Sequence, residues 1–256
     1  MRGNFGFGQA FGAQELATDE HGFTQIKLHR SLAVAALQKG WDNGRDMADA
    51  DVWVVDLRTE HDWLPPTPAE AERAARFVND TLRRRHLRSH AALRRILGTY
   101  TAAPIEFALA EHGKPYLAGD RDLQFNLSHS EELAVVAVTR DVEIGVDVER
   151  FRPLQQCMAI AERFFPPMEA AALADVPMED REAEFFRRWT RIEAKLKARG
   201  FGLYGAGAEL DGDWSVVSID VGLDYTASVA ANCRELAVWR RLFPPSQTSI
   251  SRSPIP

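Results

Sequence analysis

Phe185-Phe-Arg-Arg-Trp-Thr-Arg-Ile-Glu-Ala-Lys-Leu-Lys-Ala-Arg-Gly-Phe-Gly-Leu203 is the stretch from which the rest of this chain can be read. At a period of 3.6, Phe185, Trp189, Ile192 and Leu196 fall on one apolar stripe, and Gly200 supplies a stop; the spacing predicts a helix with one face inward. Glu193 and Lys197 lie one turn apart and project from the same side of it. Taken alone, such a pair is a common surface stabiliser of helices. Its meaning changes beside two upstream segments, Phe125-Asn-Leu-Ser-His-Ser130 and Gly145-Val-Asp-Val-Glu-Arg150. Strand alternation in the second puts Val146 and Val148 on one face, Asp147 and Glu149 on the other. Two carboxylates so placed repel each other unless a cation separates them. Three acids, a lysine and a Ser-His turn make up a set that can hold a divalent metal against a phosphate ester.

The bulk properties bound this reading. At 256 residues the chain can bury a core as one large domain or two small ones. Its composition, 45% hydrophobic and 27% charged, is that of a soluble globular protein. No apolar run has the length of a membrane span, and the first residues lack a secretory core. Cys157 and Cys233 alone give no disulfide framework, so a cytoplasmic enzyme is expected. The net charge is −6, yet residues 82–95 carry six arginines and no acid. Overall acidity argues against a general nucleic-acid binder, and a local basic patch suits a small, highly charged ligand. His86 and His90, one turn apart in that block, suggest zinc, but no third ligand lies nearby, and they read as helix-packing residues.

In chain order, Gln25–Gln38 is expected to form a short helix in an otherwise uninformative start. Asp51–Leu57 reads as a buried strand. Thr67 caps a helix reaching Phe77, with Pro68 at its first position. The arginine-rich helix follows and ends at Gly98. Strands are expected at Leu123–Leu127, Glu132–Val138 and Val142–Val148. Helices follow at Leu154–Phe165, closed by Pro166-Pro167, and at Met168–Ala174. Beyond the opening helix come strands at Asp213–Ile219 and Tyr225–Ala231, and Glu235–Leu242 as a further strand or edge segment. The order strand, short helix, long helix, strands occurs twice, which points to two related lobes around a shared cleft.

The motifs Gly113-Lys-Pro-Tyr116, Phe125–Ser130, Glu162-Arg-Phe-Phe165, Gly145–Arg150 and Trp189–Lys197 resemble, as a set, the 4'-phosphopantetheinyl transferases in their Sfp-type, two-lobed form. The resemblance covers about residues 51–235. It implies an α+β fold of two pseudo-symmetric lobes, each a small, mostly antiparallel sheet packed with helices. Residues 1–44 would then be a poorly defined extension, 45–140 the lobe with the nucleotide anchors, 141–243 the lobe with the metal site and catalytic helix, and 244–256 a disordered tail. The activity it implies is that of a holo-[acyl-carrier-protein] synthase. Such an enzyme moves the 4'-phosphopantetheine arm of coenzyme A onto a serine of an acyl or peptidyl carrier protein, with Mg²⁺ or Mn²⁺, and releases adenosine 3',5'-bisphosphate. By the same resemblance Asp147, Glu149 and Glu193 hold the metal, while Glu193, Lys197 and His129 are catalytic. Arg73, Arg85, Lys114, Ser128, His129 and Lys197 contact coenzyme A. A monomer with no nucleic-acid or membrane partner is implied.

One position departs from the family pattern: Ile192 stands where a lysine often precedes the glutamate. Ile192 is on the apolar stripe, and Arg191 or Lys195 offers positive charge nearby. A rival reading is a metal-dependent phosphodiesterase or nuclease of the Asp…Glu-x-Lys kind, through Asp147, Glu193 and Lys195. That chemistry needs Glu and Lys on one strand face, whereas on a helix residues two apart point in different directions. A second rival is a non-enzymatic binder of nucleic acid or acidic partners through the arginine helix.

Overall fold

Runs of Val and Ala with polar residues interleaved dictate strands that bury one face or both, and most of the structure follows from where those faces meet. A computed structural model describes residues 45–140, 142–200 and 213–245. The helix expected at Gln25–Gln38 and the tail from residue 246 onward lie outside the described residues. A first sheet has the order β4-β5-β1-β9, from β1 (Arg45–Asp56), β4 (Leu123–Ser130), β5 (Leu133–Arg140) and β9 (Cys233–Leu242). β5 pairs antiparallel with both β1 and β4, and β9 runs parallel to β1. A second sheet, β6-β8-β7, is antiparallel: β6 (Ile144–Arg150), β7 (Ser215–Ile219) and β8 (Tyr225–Ala231). A small hairpin joins β2 (Phe107–Leu109) to β3 (Pro115–Leu117). The fold is α+β, with one parallel pair among small antiparallel sheets.

Alternation sorts the side chains into three cores. Val52, Val54, Val135 and Ala137 of the first sheet face Ile144, Val146, Val148, Ala227 and Val229 of the second. Each such Val or Ile contributes roughly 1.5–3 kcal/mol relative to leaving it in water. The opposite face of the first sheet, with Trp53, Val55, Phe125 and Val136, packs on Ala92, Leu93, Ile96 and Leu97 of α2 (Asp80–Leu97). Phe165, Phe185, Phe186 and Trp189 unite α3 (Cys157–Phe164), α4 (Pro167–Ala174) and α5 (Met178–Arg199). Ile192 packs at the edge of that third core, as its place on the stripe predicts.

Local chemistry sets the element ends. Thr67 accepts from the Glu70 amide, Glu70 returns a bond to the Thr67 amide, and Pro68 opens α1 (Pro68–Ala74), three residues shorter than expected. Asn79 caps α2. Gly200, at φ 80°, ends α5 in the left-handed conformation that glycine adopts without strain. β9 completes the first sheet beside β1, although it lies far from β1 in sequence. Both ends of the described chain therefore build that sheet.

Two contacts position α5. Gly145 on β6 lies directly under it: a Cβ there would come within 2.1 Å of the Ala194 carbonyl oxygen and 2.3 Å of the Ala198 nitrogen. Lys114, just before β3, donates to the carbonyls of Ala198 (2.6 Å) and Ile144 (3.1 Å), tying the last turn of α5 to the start of β6. Burial lowers its ammonium to about 8, with Glu143 opposing. This main-chain clamp differs from the nucleotide contact that the resemblance implies for Lys114. Lys114→Met is expected to cost about 2 kcal/mol, because two carbonyls lose their charged donor; urea unfolding checks it.

Candidate active site

β4 and β6 are edge strands of different sheets that run side by side, and side chains bridge them where a backbone ladder would otherwise form. Asn126 Oδ1 accepts from the Val146 amide (2.9 Å) and Ser130 Oγ from the Arg150 amide (3.1 Å). Between these rungs Ser128 Oγ donates to Asp147 Oδ1 (2.9 Å). Residues 126–130 continue strand β4 in register with β5, in place of the Ser-His turn expected from the sequence. Their polar side chains join the edges of the two sheets and aim β4 at the acidic face of β6.

On that face Asp147 and Glu149 point towards α5, opposite Val146 and Val148, as strand alternation predicts. Lys197 Nζ donates to Asp147 Oδ1 (2.6 Å) and to Ser128 Oγ (2.9 Å). Glu193 comes from the preceding turn of α5 and is 8% exposed. Its carboxyl is raised to about 7 by burial, then by the charge of Asp147 and of Glu149, with Lys197 opposing. Burial and Asp147 likewise raise Glu149, against Arg152 and Ser130. Burial opposes charge on Lys197, but Asp147, Glu193 and Glu149 outweigh it and hold the ammonium above its ordinary range. The three acids and the lysine act on one another as a single electrostatic cluster.

Two buried oxygens of this cluster have no partner, Asp147 Oδ2 and Glu193 Oε1. Among the described residues no three or more His, Cys, Asp or Glu side chains are grouped so as to hold a metal ion as they stand. One reason is visible: Lys197 holds Asp147, while Arg152 Nη1 (2.8 Å) and Ser130 Oγ (3.1 Å) hold Glu149. Orphaned carboxylate oxygens in a buried acidic cluster fit a hard divalent cation such as Mg²⁺. That ion is commonly bound by one or two carboxylates, water and substrate phosphate, not by an all-protein cage.

The basic side is built from β4, α1 and α2. His129 follows Ser128, and its imidazole is lowered to about 4 by burial and by His90, Lys197 and Arg85. His86, 4% exposed, is lowered to about 3 by burial and then by His90, Arg73 and His129. The rings of His86 and His90 lie 4.1 Å apart, and Phe77 packs on His86 at 5.2 Å. His90 Nδ1 is 2.9 Å from the His86 carbonyl and so carries the proton there; burial first of all lowers its pKa as well. The packing role read for His86 and His90 holds. Arg73 and Arg85 are both within electrostatic reach of this group. Arg85, however, pairs with Glu131 (2.7 Å) and Glu132 (2.9 Å) at the β4–β5 turn, where Glu131 has φ 49°. Ser128 faces Asp147, not only the basic side.

The imidazoles set a pH dependence. A histidine with a folded pKa far below 6.5 leaves the unfolded chain binding more protons. Its contribution is therefore whole above about 6.5 and is lost as pH falls towards 4. His86 Nε2 has no partner, so His86→Leu removes that loss at small cost. The variant is expected to overtake the parent in thermal midpoint as pH falls from 7 to 4.5, which calorimetry across pH measures.

Sequence reasoning missed Arg152, whose only signal was its place three residues after Glu149. It also missed Gly145 as the seat of α5. The nuclease arrangement fails: Glu193 and Lys195 sit on a helix, and Lys197 is the lysine that meets Asp147.

Buried acids with a lysine on one side of a strand junction, and imidazoles with guanidinium groups on the other, define an α+β protein suited to a phosphate ester. The family model for the 4'-phosphopantetheinyl transferase superfamily matches residues 143–222, the segment that contains β6 and α5. The chain is 43% identical over 141 residues to the 4'-phosphopantetheinyl transferase HetI of Nostoc sp. (strain PCC 7120), covering 52% of this chain and 59% of that one. It is 37% identical over 156 residues to the 4'-phosphopantetheinyl transferase psf-1 of Bacillus pumilus, with 58% and 65% covered. It is 32% identical over 137 residues to the 4'-phosphopantetheinyl transferase AcpT of Salmonella typhimurium, with 53% and 66% covered. The matches span about 59–66% of the length of these curated relatives. Over the segment that holds β6 and α5 the chain is similar to the 4'-phosphopantetheinyl transferase superfamily. No helix among the described residues is long and apolar enough to cross a membrane.

Proposed function

We propose that this chain transfers the 4'-phosphopantetheine arm of coenzyme A to a serine hydroxyl of an acyl or peptidyl carrier protein, releasing adenosine 3',5'-bisphosphate. The observation that carries the reading is the meeting of Asp147, Glu149, Glu193 and Lys197 across β6 and α5, beside His129 on β4. Asp147, Glu149 and Glu193 would hold Mg²⁺, or Mn²⁺ in its place. When bound, the cation neutralises pyrophosphate charge and the charge growing on the leaving phosphate.

The chain's own residues do the rest. Glu193, with a carboxyl at about 7 and a free Oε1, suits the removal of the serine proton near neutrality. Lys197 is kept charged by its acidic neighbours and supplies a proton donor to the leaving phosphate. His129 is neutral in a basic setting, and an arriving phosphate dianion favours its protonation, which strengthens the grip. Arg73 reinforces that grip, and Arg85 does so by exchanging Glu131 or Glu132 for phosphate. Lys114 contributes through the seating of α5. The enzyme acts in the cytoplasm as a monomer of holo-[acyl-carrier-protein] synthase type, since one chain supplies both sides of the cleft.

The test is Mg²⁺-dependent incorporation of a fluorescent coenzyme A analogue into a panel of apo acyl and peptidyl carrier proteins. Labelling of at least one carrier, lost with chelator and with the carrier Ser→Ala variant, is expected. Absence of labelling across the panel, with no binding of adenosine 3',5'-bisphosphate, overturns the reading.

A further inference from the structure

Glu149 is partnered differently from the other two acids. Its Oε2 accepts from Arg152 Nη1 at 2.8 Å, and Arg152 sits just past the end of β6. The same Nη1 reaches the Arg150 carbonyl (3.1 Å), and the guanidinium carbon stands 4.7 Å from the centre of the Phe186 ring on α5. The Arg152 side chain is 43% exposed, whereas that of Glu149 is 15% exposed. Arg152 itself lines the wall of a cleft of about 280 Å³, together with Phe151, Pro153, Phe186, Glu179 and Glu182.

We propose that Arg152 is a resident counter-ion of Glu149 which a divalent cation must displace, the freed guanidinium turning into the cleft between Phe151 and Phe186. The proposal rests on the metal-site reading above and adds the residue that competes with the metal. Three features support displacement of Arg152 rather than of Lys197. Lys197 bonds Asp147 and Ser128 together, whereas Arg152 holds the cluster through one carboxylate. Half-exposed ion pairs are weak and readily exchanged. The destination is prepared: the Phe186 face keeps a cation–π contact available, and Glu179 and Glu182 line the far wall. Arg152 thereby neutralises Glu149 until the cation arrives, and metal binding re-shapes the mouth of the cleft.

Removal of any nearby positive charge tightens cation binding through the field alone, so the control is Arg150→Gln, an exposed neighbour on the same segment. Mn²⁺ is titrated against the 256-residue chain without coenzyme A, with free Mn²⁺ read by electron paramagnetic resonance. Arg152→Gln is expected to tighten Mn²⁺ about fivefold and Arg150→Gln less than about twofold, while Arg152→Lys stays near the parent value. Equal effects of Arg152→Gln and Arg150→Gln, or weaker binding in Arg152→Gln, overturn the proposal. Asp147→Asn separates the two readings. If it abolishes Mn²⁺ binding while Arg152→Gln behaves as its control, only the counter-ion role falls. If it leaves Mn²⁺ binding intact, the metal-site reading falls and takes this one with it.

Discussion

Glu193→Gln is expected to lose carrier-protein labelling by about 10³-fold or more while the folded protein becomes more stable. The two effects have one cause. Glu193 is a buried acid that feels the charge of Asp147 and Glu149 and has an oxygen that finds no donor, so its ionised form is disfavoured in the fold. Its folded pKa of about 7 lies above the ordinary 4.5, so the folded chain binds more protons between these values. The stability tied to this group is therefore full below about 4.5 and lost as pH rises through 7. Glutamine carries no charge to repel, and its advantage should grow to the order of 2 kcal/mol at pH 8 and shrink towards pH 5. Denaturant unfolding at both pH values, with initial rates of labelling, checks the pair. A variant that is less stable at pH 8, or that labels carriers at the parent rate, contradicts the role given to Glu193.

Gly145→Ala is expected to be the most damaging single-methyl change in the described chain. A Cβ at residue 145 would lie 2.1 Å from the Ala194 carbonyl oxygen and 2.9 Å from the Ala198 Cα, and both are backbone of α5. No side-chain rotamer relieves such a contact, so helix and strand must part. Overpacking of this kind costs about 3 kcal/mol or more. The part of α5 pushed away carries Glu193 and Lys197, so activity should fall even where the protein remains folded. Circular dichroism melts and labelling rates measure both. A melt within about 2 °C of the parent would mean that α5 does not rest on Gly145 as described.

Much of this architecture is legible in the sequence because its signals are local. The period of Phe185, Trp189 and Leu196 identifies α5, and alternation through Val146, Asp147, Val148 and Glu149 orients β6. Thr67 and Glu70 announce a capping box. What stays hidden depends on partners distant in sequence. Nothing in Cys233–Leu242 says that its neighbour is β1, because strand pairing carries no local signature. Lys114 reads as a turn lysine or a nucleotide contact, and its hydrogen bonds to the Ala198 and Ile144 carbonyls carry no local signature. Arg85 reads as an anion anchor, but the acids of the β4–β5 turn already hold it. The acids and Lys197 are legible in their motifs, whereas the contact of Arg152 with Glu149 is visible only in the geometry.

The central claim is that Asp147, Glu149 and Glu193 share one cation facing the phosphates of coenzyme A. Anomalous diffraction from crystals grown with Mn²⁺ and coenzyme A tests it most directly. The account predicts one strong Mn²⁺ peak coordinated by these carboxylates and by pyrophosphate oxygens, with His129 at the nucleotide phosphate. A peak with no ligand from Glu193 and Asp147, or coenzyme A bound away from the β4–β6 junction, would contradict it.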